Sequence, residues 1–199
     1  MQHFVGRVIT FLVKYIFDIL FEKHLVCSIK EKKHNLGIMT TYNQAQCNFK
    51  FKIAAIEKVV DGDTVDVLID LGFDVMTRQR VRLLGIDTPE SRTSDQVEKV
   101  YGKLAKKNLA EWCMKAVASE KDDIEIELRC PEMDSRGKFG RVLGEIWVSE
   151  DGNWTNVNQW MCENGHAVPY HGQNKDDVQA QHMANRKMLA EKGIVTEHA

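Results

Sequence analysis

The chain of 199 residues lacks the compositional marks of fibrous, disordered and disulfide-stapled proteins. It has only 3 prolines and 13 glycines, and 43% of its residues are hydrophobic, which excludes a collagen-like repeat and argues against wholesale disorder. The cysteines form no C-x-x-C pair and are odd in number, so that neither a zinc ribbon nor a disulfide framework is indicated. We expect mostly buried free thiols at Cys27, Cys47, Cys113, Cys130 and Cys162.

The sequence also lacks a strong excess of charge of either sign. It carries 27 Lys and Arg residues against 29 Asp and Glu residues, a formal net charge of -2. A protein that holds nucleic acid by phosphate neutralisation alone is usually strongly basic. Any contact with a polyanion must therefore come from a local patch.

Long uncharged hydrophobic runs are absent as well. Residues 4–28 are rich in Phe, Ile, Leu and Val, but four charged side chains interrupt them: Arg7, Lys14, Asp18 and Glu22. No uncharged run approaches the roughly 18 residues of a membrane-spanning helix. The charges fall near one side of a helix, which favours a helix lying in a membrane interface or packed on a partner.

The origin of this N-terminal extension, residues 1–47, has two interpretations that stay open. Met39-Thr40-Thr41 is a plausible translation start, in which case residues 1–38 are not part of the natural product. A secretory signal is less favoured, because the apolar run between Arg7 and Lys14 is too short and no small-x-small cleavage site follows. The extension decides the localisation. We expect the protein to be exported or membrane-associated if the extension is native, and cytoplasmic if the extension is not native.

From residue 48 onward, the hydrophobic pattern predicts a mainly β domain at 48–172, followed by a C-terminal helix within 173–199. We predict strands at 50–60, 64–71, 74–86, 123–130 and 139–148. We also predict helices at about 97–116 and at 176–192, and a short helix that starts at Asn156 with Thr155 as its cap. Asp61-Gly62 is a strong hairpin signal. The order of elements favours an α+β, mainly β fold: an OB-type five-stranded barrel with about three peripheral helices.

Acidic residues gather where the predicted strands end. Asp61 and Asp63 flank the first hairpin turn, and Asp87 and Glu90 bracket Thr88-Pro89 after the third strand. Two carboxylates about 5 Å apart repel by roughly 3 kcal/mol at an effective dielectric near 20. If the strand ends meet, a hard divalent cation relieves this repulsion, and oxygen ligands without nearby Cys or His favour Ca²⁺ or Mg²⁺ over Zn²⁺.

Arginines accompany these acidic residues. The alternation of the third strand places Arg78, Arg80 and Arg82 on one face, and Arg141 follows Lys138-Phe139-Gly140 near the last strand. A guanidinium is planar, permanently charged and able to bind two oxygens at once. Arg82 and Arg141 beside a bound cation would therefore form a phosphate clamp.

Three motifs occur in a recognisable order: VDGDTV at 60–65, VRLLGIDTPE at 81–90 and GKFGR at 137–141. Together they closely resemble the staphylococcal nuclease (thermonuclease) family. VEKVYG at 97–102 is similar to the first helix of that family, and the segment 156–170 is similar to its Val-Asn-x-x-Leu-x-x-x-Gly-x-Ala stretch. The resemblance covers roughly residues 50–171.

The resemblance implies an OB-fold enzyme that hydrolyses DNA and RNA in a Ca²⁺-dependent reaction. It implies a preference for single-stranded regions, little sequence specificity and 3′-phosphate ends; we expect a monomer. The implied metal ligands are Asp63, Asp87 and the Thr88 carbonyl, the catalytic residues are Arg82, Glu90 and Arg141, and the substrate contacts are Lys138, Phe139 and Tyr170. Phe139 stands where the best-known members have Tyr, which removes a hydroxyl but keeps a ring for stacking on a base.

Two alternatives belong to other classes. A catalytically silent member of the fold would bind nucleic acid or protein, but such modules typically lose carboxylates or arginines that are all present here. HNH-type nuclease chemistry around His182, Asn185 and His198 is less favoured, because these residues fall on a helix and a tail without a β-hairpin. We interpret them as part of a solvated helix face.

Overall fold

The structure is a computed structural model that describes residues 47–118 and 124–195. The segment 4–28, with its expected interfacial helix, lies outside these ranges. No helix within them is both long and apolar enough to cross a membrane. The strands are β1 (Phe49–Asp61), β2 (Thr64–Asp70), β3 (Met76–Leu83), β4 (Ile86–Asp87), β5 (Ile124–Cys130), β6 (Val142–Glu150), β7 (Asn153–Asn156) and β8 (Val168–Pro169), and the helices are α1 (Gln96–Ala118), α2 (Val157–Glu163) and α3 (Lys175–Glu191).

The main sheet closes into a five-stranded barrel, as the sequence predicts. Its strand order is β3-β2-β1-β5-β6-β7, and an additional parallel pairing joins β3 to β6. In that pairing Val81 lies opposite Val142 and Leu83 opposite Gly144. The OB-type barrel with three helices in the described ranges confirms the predicted fold class.

The barrel core follows from period-two alternation along the strands. On β2, Val65, Val67 and Ile69 are buried while the residues between them are partly exposed. Side chains from the other strands meet them in one continuous core. Alternation of this kind buries one face of each strand and leaves the other for function.

Helix α1 packs on the barrel through residues spaced four apart. Tyr101, Ala105, Leu109 and Cys113 are all buried, which is the stripe that a helix of 3.6 residues per turn presents to a core. The helix begins after Asp95, whose Oδ1 accepts hydrogen bonds from the backbone N–H groups of residues 97 and 98. Asp95 is thus the N-cap of this helix.

Several predicted boundaries are wrong. The last predicted strand began at Phe139, but residues 138–140 form a short 3-10 turn in which Phe139 and Gly140 have positive φ, so that the strand starts at Val142. The third predicted strand ran on to residue 86, but Gly85, with a φ of 76°, turns the chain after β3. The cap of α2 is Asn156 rather than Thr155, because the Asn156 side chain accepts from the Gln159 N–H.

The cysteines of the described ranges are fully or partly buried. Cys113 and Cys130 are buried, and Cys162 is partly buried; all three are free thiols. Burial raises the pKa of each of these thiols to about 12. They therefore stay protonated and unreactive at neutral pH.

Candidate active site

The β1–β2 turn and the loop after β4 lie against each other. Gly62 has no room for a side chain: a Cβ atom there would lie 2.8 Å from the Cβ of Ala105 and 2.9 Å from the Oγ1 of Thr88. The backbone N–H of Leu83 also donates to the carbonyl of Asp63 over 2.8 Å. These contacts bring the acidic strand ends together, as the sequence predicts.

Arg82 lies between two of the converging carboxylates. Its Nη2 donates to Asp87 Oδ1 over 3.1 Å, and its Nη1 is in ion-pair contact with Asp63 Oδ2. The Thr64 hydroxyl donates to the other oxygen of Asp63 over 2.8 Å. One guanidinium therefore connects the end of the first hairpin to the loop after β4.

Negative charge accumulates around this arginine. Burial raises the pKa of Asp63, and the neighbouring carboxylates of Asp87 and Asp61 raise it further, against the opposing effect of Arg82. The pKa of Glu90 is also raised, first by partial desolvation and then by the charges of the same three aspartates. This cluster of carboxylates thus disfavours further negative charge and favours a cation.

Helix α1 holds the loop that carries Glu90. The Glu90 backbone N–H donates to Glu98 Oε1 over 3.4 Å. A Cβ atom at Gly102 would lie only 2.5 Å from the carbonyl carbon of Glu90 and 2.6 Å from the backbone nitrogen of Ser91. The loop therefore rests directly on the helix backbone, while the Glu90 side chain is exposed.

Arg141 lies on a neighbouring part of the surface. It precedes β6, which pairs with β3, and within the described residues it forms no ion pair with a carboxylate. With Phe139, Arg78 and Arg80 it lines a groove of about 350 Å³. Arg78 and Arg80 project from β3 as predicted, but they pair with Glu57 and Asp66.

The exposed aromatic beside this groove is Phe139. Its side chain is 93% exposed, and its φ of 62° is unusual for a residue with a bulky side chain. The Arg141 guanidinium lies 5.9 Å from the centre of the Phe139 ring. Lys138 is exposed next to it, so that the turn presents two cations and a ring to solvent.

Tyr170 reaches the same side of the barrel by a different route. Strands β4 and β8 pair with Asp87 opposite Val168, and the Tyr170 N–H then donates to the Gly85 carbonyl over 2.7 Å. The side chain of Tyr170 is 41% exposed. This pairing, which the sequence did not predict, brings Tyr170 beside the loop that carries the acidic residues.

The donor set fits a hard divalent cation. Asp63 and Asp87 are carboxylates that share one guanidinium, and the buried Thr88 adds a backbone carbonyl on the same loop. In residues 47–118 and 124–195 no group of three or more His, Cys, Asp and Glu side chains has the geometry of a metal site. The candidate Ca²⁺ ligands are two carboxylates and one backbone carbonyl, so they do not form a group of three such side chains. Both kinds of oxygen are ligands that Ca²⁺ prefers.

His182 joins the acidic residues although the sequence predicts a solvated helix face at this position. It is only 5% exposed, and its Nε2 lies 3.1 Å from Asp87 Oδ2. Asn185 is also engaged, since its side-chain amide donates to the Ala167 carbonyl over 3.0 Å. The signal was present, because His182 falls four residues after Val178 and seven before Leu189, on the apolar stripe of the helix. His198 lies outside the described ranges.

Comparison with known proteins shows several related sequences. The chain is 32% identical over 130 residues to Protein ParB of Escherichia coli, covering 61% of this chain and 60% of that protein. It is 32% identical over 120 residues to Endonuclease YhcR of Bacillus subtilis, covering 58% of this chain and 9% of that protein. It is 29% identical over 96 residues to the Thermonuclease of Staphylococcus intermedius, covering 48% and 49% respectively.

The matched stretch thus spans 60% or less of the length of these relatives. The family model described as staphylococcal nuclease homologue matches residues 80–194, which include every proposed site residue except Asp63. That match covers more than half of the chain. The chain therefore belongs to the family of staphylococcal nuclease homologues.

Proposed function

We propose that this chain is a Ca²⁺-dependent nuclease that hydrolyses DNA and RNA with little sequence specificity, prefers single-stranded regions and leaves 3′-phosphate ends. The observation that supports it most is the convergence of Asp63 and Asp87 on Arg82, with Glu90 on the adjoining loop. Membership of a nuclease family and similarity to an endonuclease and a thermonuclease support the same reaction class.

Asp63, Asp87 and the Thr88 carbonyl would hold the cation. When bound, Ca²⁺ supplies positive charge to the scissile phosphate and polarises a water molecule. The buried Asp63 carboxylate is pre-positioned by the Thr64 hydroxyl, which holds one oxygen in place. This contact restricts the rotation of the Asp63 carboxylate before the ion binds.

Glu90 would orient the attacking water and accept its proton. The raised pKa of Glu90 makes its carboxylate a better base than an ordinary surface glutamate, because a base works best when its pKa is close to the pH of the reaction. The contact between Gly102 and the Glu90 backbone holds the loop in place. The general base is thus fixed at its backbone while its side chain remains accessible to substrate.

Arg82 and Arg141 would stabilise the charge that develops on the phosphoryl oxygens. Arg82 Nη1 is buried against Asp63 Oδ2, with which it forms an ion pair. In catalysis Arg82 would exchange this contact for a phosphoryl oxygen. Arg141, which has no carboxylate partner in the described residues, has a guanidinium available for a second oxygen of the same phosphate.

The groove beside Arg141 would hold the adjoining nucleotide. Phe139 and Tyr170 are exposed rings on which any base can stack, and Lys138 adds a cation for the backbone. Contacts of these kinds carry little base information, which agrees with low sequence specificity. Stacking on a ring requires an unpaired base, which agrees with a preference for single strands.

Cleavage of a labelled single-stranded oligonucleotide with Ca²⁺ and with excess chelator tests the proposal, and analysis of the products tests the 3′-phosphate ends. We expect cleavage only with Ca²⁺ and a loss of about 10²- to 10⁴-fold in kcat for Glu90→Gln, as for the removal of a general base, with an unchanged Tm. Binding without cleavage by the wild-type protein would instead indicate the catalytically silent module. Full activity of Glu90→Gln would exclude the proposed role of Glu90.

A further inference from the structure

His182 belongs to the surface of α3 that packs on the rest of the domain. It lies on one stripe with Val178 and Leu189, which are buried with it. From this position its Nε2 reaches Asp87 Oδ2 at 3.1 Å, across 95 residues of sequence. The last described helix therefore contacts the acidic loop directly through a polar side chain.

The two oxygens of Asp87 are held from two different elements. Arg82 Nη2, on β3, donates to Oδ1, and His182 Nε2, on α3, lies against Oδ2. An ionised carboxylate only accepts hydrogen bonds, so the Nε2 of His182 must carry the proton in this contact. Two donors at opposite ends of one carboxylate fix its rotation, and each oxygen retains a lone pair for a further partner.

We propose that His182 is a positioning residue, which orients the Asp87 carboxylate for the divalent cation and so makes α3 part of the active site. This inference rests on the proposed function, because it concerns the same cation. Hydrogen-bond partners behind metal ligands orient them, and their loss typically weakens metal binding by about 10- to 100-fold. Asp87 is the more exposed of the two carboxylates, with a side chain 33% exposed against 13% for Asp63, and therefore has more freedom for the histidine to restrict.

The test compares three variants of the full chain by calorimetric titration with Ca²⁺, by kcat and KM on a single-stranded oligonucleotide, and by Tm. His182→Leu removes the donor but keeps an apolar side chain in the packed stripe. His182→Gln retains an N–H group that can reach the position of Nε2. Val178→Ala is the matched control, since it trims a buried residue one turn away that makes no polar contact with Asp87.

We expect His182→Leu to weaken Ca²⁺ binding by about 10- to 100-fold and to lower kcat. His182→Gln should recover most of the Ca²⁺ affinity. Val178→Ala should lower Tm without changing the Ca²⁺ affinity. Wild-type Ca²⁺ affinity in His182→Leu, or an equal loss in Val178→Ala, would overturn the positioning role while leaving the nuclease intact. A wild-type chain that neither binds Ca²⁺ nor cleaves would overturn the proposed function itself. Should His182→Leu fail to fold, His182→Gln is compared with His182→Asn, whose shorter side chain holds its amide farther from Asp87.

Discussion

Arg82 forms two ion pairs within the protein, which the binding of a phosphate alone would not require. In the structure it joins Asp63 to Asp87, and its side chain is only 16% exposed. A largely buried guanidinium that neutralises two carboxylates contributes to folding, because its removal leaves the buried carboxylate charge unpaired. Arg141 has no carboxylate partner within the described residues, and the role proposed for it is in substrate binding.

This difference predicts separate effects of two matched substitutions. Lys keeps the charge of Arg but loses the planar fork that binds two oxygens. We expect Arg82→Lys to lower both kcat and Tm, and Arg141→Lys to lower kcat to a similar extent, about 10²-fold or more, with an unchanged Tm. Kinetics and thermal denaturation of both variants check this, and equal changes in Tm would contradict it.

Glu145 is a buried acid away from the active site. It is 1% exposed, and burial raises its pKa despite the hydrogen bond from the Trp147 indole, which is 2.9 Å long, and the nearby charge of Arg129. A carboxyl with a raised pKa holds its proton more tightly in the folded state than in the unfolded state. Its contribution to stability is therefore complete below the ordinary pKa of about 4.5 and is lost as the pH rises through the raised value.

Glu145→Gln should remove this dependence, because a glutamine can still accept from the Trp147 N–H but never ionises. We expect the Tm of the variant to be close to that of the wild type at pH 4 and to exceed it increasingly toward pH 8. Thermal denaturation across this range measures the difference. A gap that narrows as the pH rises would show that the ionised carboxylate stabilises the fold.

At the scale of single secondary-structure elements, α1 both covers the barrel core and supports the loop that carries Glu90. Its buried stripe follows the sequence spacing, whereas its contact with the loop depends on one small residue, Gly102. Ordinarily, a change from Gly to Ala inside a helix stabilises it by about 1 kcal/mol. Here the added methyl group would meet backbone atoms that cannot rotate away.

Gly102→Ala should therefore destabilise the protein, in contrast to the usual stabilisation of a helix by this change. We expect a lower Tm and a kcat reduced by about tenfold or more, because the loop must move outward and carry the general base with it. The exposed neighbouring position supplies the control, in which Lys103→Ala leaves both quantities nearly unchanged. An increase in Tm with full activity would show that the loop accommodates the methyl group.

The elements that the sequence predicts well are those set by local signals. The Asp61-Gly62 turn and the spacing of α1 were predictable because a turn residue and a periodic stripe act over a few neighbours. Strands β4 and β8 were missed because each has only two residues and exists through pairing with the other. The contact of His182 with Asp87 was not predictable for the same reason, since the two residues are 95 apart in the sequence, although the burial of His182 follows from the apolar stripe of the helix.

At the scale of the whole molecule, the candidate metal site ties distant parts of the chain into one cooperative unit. Asp63 belongs to the first hairpin, Asp87 to the short strand β4 and His182 to the last described helix. A cation that binds only the folded form stabilises all of these parts together. The gain is about 2.7 kcal/mol at a free concentration of 100 times Kd.

Addition of Ca²⁺ should therefore raise the Tm of the wild-type chain by several degrees, and chelation should reverse the shift. Asp63→Asn should abolish the shift. Asp66→Asn is the matched control, because Asp66 lies on the adjoining strand β2 but pairs with the exposed Arg80. A shift of equal size in Asp63→Asn would place the cation elsewhere.

The parallel pairing of β3 with β6 has one more consequence, for self-association. The parallel pairing covers only Val81–Leu83 of β3, so the described edges of the main sheet are residues 76–80 of β3 and strand β7. Both edges are short, β7 having only four residues, Asn153–Asn156, and a short edge offers few unpaired backbone groups to another molecule. Concentrated solutions of the folded protein should consequently resist the strand-by-strand stacking that leads to fibrils.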